Sequence, residues 1–136
     1  MPDEIYTEII LDLYKNPVNR GSVPNPDLRF SGGNPTCGDA VVFEIKLGDD
    51  GKTIAEIKFS GHGCAISTAA ESLLTQNVKG KTIEEAIALT NKDVFAWLGN
   101  IIQTRVKCAL LGLHVLKEGL KEYEASGNRK VEGIRI

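Results

Sequence analysis

No stretch of this chain approaches the ~20 consecutive apolar residues that a bilayer-spanning helix needs, so no membrane span is expected. Charge of one sign is also lacking. Sixteen basic against 18 acidic residues leave a formal net charge of −2, too little positive field to attract a polyanion, so no nucleic-acid partner is expected. The opening Met1-Pro2-Asp3-Glu4 has neither the basic nor the apolar region of a signal peptide, and a cytoplasmic location is the resulting expectation. There are only 2 histidines, thin material for a histidine metal site or a histidine base. Cysteine is scarce, 3 in all and no C-x-x-C pair. An odd number cannot all pair within a monomer, and without a secretion signal reduced thiols are the expectation.

What is present fits one globular domain over residues 1–136, with 42% hydrophobic and 25% charged residues. Its organising stretch is Gly61-His62-Gly63-Cys64-Ala65-Ile66-Ser67. There a period-2 pattern gives way to a helical one, and a cysteine at a helix N-terminus is favoured as thiolate by the partial positive charge of the unpaired N–H groups.

Taken in order, residues 3–15 read as an amphipathic helix, with Tyr6, Ile9, Ile10 and Leu13 at helical spacing, stopped by Asn16-Pro17. The segment 21–36, with Pro24, Pro26, Pro35 and Gly32-Gly33, reads as extended and irregular. Val41, Phe43, Ile45 and Leu47 alternate with Val42, Glu44 and Lys46, Gly48-Asp49-Asp50-Gly51 is turn chemistry, and Ala55, Ile57 and Phe59 alternate again. Two such strands make an antiparallel hairpin. Cys37 precedes the first and Cys64 follows the second, so pairing brings both to one end, and Asp39 projects to the same side as Cys37 on an extended backbone. Helices follow over about 65–77, from a Thr82/Glu85 capping box, and over 94–98. The last, over about 102–124, carries Cys108 at the border of its apolar stripe beside Lys107, and Gly112 one turn on. The tail 128–136 has no assigned element.

Three thiolates and a carboxylate, Cys37, Cys64, Cys108 and Asp39, suit either a Zn²⁺ tetrahedron or a [2Fe–2S] cluster. Ligand count does not separate them. Oxygen is a harder, weaker donor to cluster iron than sulfur, so a site with one carboxylate holds its cluster less firmly than an all-cysteine site.

The segments Asp12-Leu13-Tyr14-Lys15-Asn16-Pro17, Asn34-Pro35-Thr36-Cys37-Gly38-Asp39, Gly63-Cys64-Ala65-Ile66-Ser67 and Val78-Lys79-Gly80-Lys81-Thr82 through Ala86 resemble the U-type iron–sulfur cluster assembly scaffolds: IscU, SufU and the N-terminal domain of NifU. The resemblance runs from the first helix to the last. It implies an α+β fold, a small antiparallel β-sheet packed against several α-helices, with the metal or cluster site at one exposed end. It implies Cys37, Asp39, Cys64 and Cys108 as ligands of a transient [2Fe–2S] cluster, with Zn²⁺ able to occupy the same site. It implies a cysteine desulfurase that delivers persulfide sulfur, Cys108 as its acceptor, apo iron–sulfur proteins as recipients, and room for a homodimer around the cluster.

The chain departs from the pattern in places. Where the IscU branch has a histidine before the third cysteine, this chain has Lys107, and Arg105-Val106-Lys107-Cys108 resembles the SufU branch. A protonated amine has no lone pair to offer a metal, but it can stabilise the neighbouring thiolate of Cys108. Gln103-Thr104 stands where IscU carries its proline-containing chaperone motif, and the step from Cys64 to Cys108 leaves no room for the SufU insertion. A zinc-binding sulfurtransferase that stimulates its desulfurase is therefore the alternative reading. A cysteine hydrolase with Cys64 as nucleophile would need His62, too close in sequence to orient easily, or His114, about 9 Å along the helix from Cys108.

Overall fold

The computed structural model describes residues 2–36, 38–99 and 106–136, leaving aside the side chains of 2–7, 9 and 106. Cys37 and the run Gln103-Thr104-Arg105 lie outside the described residues. The elements are α1 (Pro2–Lys15), β1 (Leu28–Asn34), β2 (Asp39–Leu47), β3 (Ile54–His62), α2 (Ala65–Val78), α3 (Ile83–Ile87), α4 (Asn91–Leu98), α5 (Val106–Ser126) and β4 (Lys130–Arg135). The four strands form one sheet in the order β3-β2-β1-β4.

The hairpin forms as the alternation predicts. Val41, Phe43 and Ile45 of β2 pair with Gly61, Phe59 and Ile57 of β3, and all but Gly61 are buried. The register shifts between Lys46 and Leu47, which leaves Ala55 exposed and puts Ile54 inside in its place. A bulge of one residue exchanges inside for outside because side-chain direction alternates along a strand.

Two segments differ from their sequence reading. Residues 28–34, expected as irregular, form β1, antiparallel to β2, with Leu28 and Phe30 buried opposite Ile45 and Phe43. The tail forms β4, which runs parallel to β1 from Arg29↔Lys130 to Gly33↔Arg135. The α+β class holds, but the sheet is mixed rather than antiparallel. β4 arrives after the α5 crossover and runs in the same direction as β1.

The helices supply the other half of the core. α2 lies among α1, α5, β3 and α4 and is buried along most of its length, with small residues Ser67, Ala69, Ala70 and Ser72 at the close contacts. α5 crosses β1 with Gly119 against the Phe30 ring, where any β-carbon would collide. The buried hydroxyl of Ser72 bonds Val18 at both ends, receiving its N–H at 2.6 Å and donating to its carbonyl at 3.2 Å. This fixes the chain after α1, so that Asn19 to Gly21 runs along β3, with Gly21 N–H to Phe59 O at 2.9 Å. None of the described helices is long and apolar enough to cross a membrane.

Candidate metal centre

Three elements begin at the same end of the sheet, and each brings one metal-binding side chain. Asp39 is the first residue of β2, in line with Val41, Phe43 and Ile45 on the core face. The period of 2 therefore turns a carboxylate inward at the end of an apolar row. Asn34, its partner across the β1–β2 pairing, closes the turn between them: its carbonyl accepts from Gly38 N–H at 2.9 Å and its Oδ1 accepts from Thr36 N–H at 3.0 Å.

Cys64 is the N-cap of α2, with extended backbone (φ −72, ψ 172) and no capping bond from its side chain. Its carbonyl is instead held by the first turn of the helix, accepting from Ser67 Oγ at 3.0 Å and Thr68 N–H at 3.1 Å. The sulfur is thereby left at the positive end of α2. Gly63 permits the approach of β2: a β-carbon there would stand 3.2 Å from Asp39 Cγ and would collide with Ser67 Oγ. Cys108, in the first turn of α5, is buried.

The ligand atoms of Asp39, Cys64 and Cys108 all lie within 4.8 Å of one another. Asp39 is 8% exposed, and its Oδ2 is buried without a hydrogen-bond partner among the described residues. A carboxylate oxygen accepts but never donates, so a hydrogen-bond donor or a cation would satisfy such an atom. Two sulfurs and this oxygen at mutual spacings under 4.8 Å are a donor set that a Zn²⁺ or iron ion fits. Asp39 also borders an open cavity of about 450 Å³, walled by Gly33, Asn34, His62 and Arg135, which neither Cys64 nor Cys108 lines.

The other sequence candidates are placed elsewhere. Lys107 is exposed and lines a groove on the outer side of α5 with His114 and Lys117. His62 is exposed at the end of β3 and His114 is half-buried on α5; neither joins the donor cluster among the described residues.

One residue of the neighbourhood escaped the sequence reading. Glu71 of α2 is 5% exposed. Burial pushes its carboxyl well above the usual carboxylate range, the negative charges of Asp39 and Cys64 push it further, and the Arg20 guanidinium opposes them. The signal for it was a lone glutamate in Ala69-Ala70-Glu71-Ser72-Leu73-Leu74, two helical turns from Cys64 on the buried side. Gly112 belongs to the same feature. Side chains rather than backbone crowd it, and a β-carbon there would stand 2.9 Å from Glu71 Cγ and 3.4 Å from Phe43 Cζ.

Comparison with known proteins gives a consistent outcome. The family described as NifU-like N terminal domain matches residues 5–130. The chain is 37% identical over 131 residues to the iron-sulfur cluster assembly scaffold protein IscU of Aquifex aeolicus, covering 96% of this chain and 83% of that one. It is also 37% identical to the zinc-dependent sulfurtransferase SufU of Bacillus subtilis, covering 93% and 95%. That alignment spans 144 positions against 136 residues here, so SufU carries residues this chain lacks. Among solved structures, FiSufU of Fervidobacterium islandicum superposes with a TM-score of 0.69 at 30% identity, over 86% of this chain and 97% of that one. The N-terminal part of a NifU-like protein from Brucella abortus, at 20% identity, shares the fold with a TM-score of 0.72 over 91% and 97%.

Proposed function

The chain belongs to the NifU-like N-terminal domain family, and from that membership we propose that it is an iron–sulfur cluster assembly scaffold. It takes sulfur from a cysteine desulfurase, holds a [2Fe–2S] cluster in transit and passes it to apo-proteins. The observation that carries this reading is the convergence of Asp39, Cys64 and Cys108 within 4.8 Å, from three elements far apart in sequence.

Each residue has its part. Cys64, the N-cap of α2, is a sulfur donor to iron. Cys108 is the second sulfur donor and the persulfide acceptor. Asp39 supplies the oxygen that makes the hold on the cluster reversible. Cys37, two residues before Asp39 in the motif, completes the ligand set. The whole of residues 1–136 acts as one carrier domain, and the cluster is its cargo. A homodimer around the cluster is compatible with a site at the molecular edge.

A second reading is favoured by two observations: the 37% identity to a zinc-dependent sulfurtransferase, and a lysine rather than a histidine before Cys108. In that reading Cys37, Asp39, Cys64 and Cys108 hold Zn²⁺ and the protein passes persulfide sulfur on without building a cluster.

Iron, zinc and acid-labile sulfide are to be measured on protein purified anaerobically, which is then offered Fe²⁺, cysteine, a cysteine desulfurase and a thiol reductant that brings the persulfide sulfur to sulfide. The scaffold is expected to form charge-transfer absorption with iron and sulfide in near-equal amounts, displacing any zinc. Zinc retained while desulfurase turnover rises would select the sulfurtransferase, and no metal under either condition would end both readings.

A further inference from the structure

Glu71 is buried where a structural glutamate has little reason to be, and neither the cysteine motifs nor the three-residue donor cluster includes it. The fold makes room for it. With no β-carbon on Gly112 of α5, the stem of Glu71 fits a slot that a β-carbon would close, at 2.9 Å from Glu71 Cγ, 3.4 Å from Phe43 Cζ and 3.5 Å from Leu74 Cδ2. Helical side chains lean toward the N-terminus of their helix, so this slot directs the carboxyl toward Cys64. The groups whose charge it feels are Asp39 and Cys64, both negative when ionised, and Arg20. Arg20 is exposed, with its guanidinium hydrogen-bonded to Gly61 O at 3.2 Å. Two buried carboxylates and two cysteines thus converge on a region with one exposed arginine, and Asp39 Oδ2 is still without a partner among the described residues. Leaving the buried Asp39 oxygen unpartnered is unfavourable, and a divalent cation that also drew in Glu71 would offset that cost.

We propose that Glu71 is a further oxygen ligand of this centre, joining Asp39 on the first divalent ion, Fe²⁺ or Zn²⁺, that enters before sulfide. Its carboxylate stands outside the group of donor atoms that lie within 4.8 Å of one another, so binding requires it to move toward them. Two oxygens suit a lone Fe²⁺ ion better than thiolates alone. Once sulfide fills the iron coordination, the carboxylate returns to its slot. The inference rests on the reading of the site as a metal centre.

The test uses the full chain, anaerobic and free of sulfide, with one equivalent of Fe²⁺ or Zn²⁺. Metal-minus-apo infrared difference spectra are recorded for the parent, for the parent carrying ¹³C-glutamate, and for Glu71→Gln. The parent is expected to show a metal-induced carboxylate band that shifts on glutamate labelling and vanishes in Glu71→Gln. In competition with a chromophoric chelator, Glu71→Gln and Glu71→Leu should bind the ion at least about 10-fold more weakly, the scale of loss seen for groups that support a metal site. Glu71→Leu places an apolar side chain in an apolar slot, and the parent's labelled band needs no variant, so a folding failure does not block the test. Absence of a glutamate band in the parent, or parent-like affinity in either variant, overturns the role of Glu71 and leaves the metal centre standing. A parent that binds neither ion overturns both.

Discussion

Asp39 sits at the end of the buried β2 row with Oδ2 unpartnered among the described residues, an arrangement that costs about 1–3 kcal/mol when nothing binds the oxygen. Asp39→Ala is therefore expected to raise the melting temperature of the metal-free protein. On the cluster-loaded protein it should slow transfer to an apo-ferredoxin, followed by circular dichroism, because the reversible oxygen donor is gone. Faster transfer would remove Asp39 from the hand-over. Gly112→Ala should gain about 1 kcal/mol of helix propensity and lose more than that, about 1–3 kcal/mol, through the contact of the new methyl with Glu71 Cγ and Phe43. In a Glu71→Ala background most of the loss should disappear, a non-additivity read from denaturant melts. At this scale the sequence was legible where chemistry repeats in motifs: Asp39, Cys64 and Cys108 were named from it and the fold brings them together. Glu71 was not, because a glutamate within a helix reads as a solvated one until packing shows which side it faces.

The hairpin and the Thr82/Glu85 capping box were readable because their signals are local. The Thr82 hydroxyl accepts from Glu85 N–H at 3.2 Å and the Glu85 carboxylate accepts from Thr82 N–H at 3.0 Å, as the Thr-x-x-Glu spacing predicts. The β2–β3 turn is held by Asp50, whose Oδ1 accepts Lys52 and Thr53 N–H at 2.9 Å while Oδ2 accepts the Thr53 hydroxyl at 2.6 Å. Those bonds, Thr53 Oγ first, lower the Asp50 pKa to about 2. A carboxyl held below its unfolded value stabilises the fold above that value, and the contribution is lost as pH falls from near 3.8 through about 2. Asp50→Ala should accordingly lower the melting temperature at pH 7, and the gap from the parent should narrow over that acid range. β1 was hidden because Gly32-Gly33 and three nearby prolines outweigh the alternation of Leu28 and Phe30, and only pairing with β2 makes it a strand. β4 was hidden for a similar reason: it is six mostly exposed residues, and its hydrogen bonds go to a strand at the other end of the chain.

For the whole molecule, β4 closes the β1 edge of the sheet and places Ile134 over Gly32 so closely that a β-carbon on Gly32 would collide with its carbonyl. Removing residues 128–136 should expose that edge, a row of unpaired N–H and C=O groups ready to pair with another chain. The expected outcome is a lower melting temperature and a concentration-dependent dimer or aggregate in size-exclusion chromatography. A truncated chain that stays monomeric at high concentration would show the edge to be harmless. The β1–β4 pairing also sets an order of events. Arg29 and Lys130 are roughly a hundred positions apart, the kind of closure whose entropy must be met before any contact rewards it. On the ribosome the β1–β2–β3 hairpins can form while α5 is still being made, and the fourth strand arrives last. For that interval the β1 edge stays open to pairing, and β4 is the element that covers it.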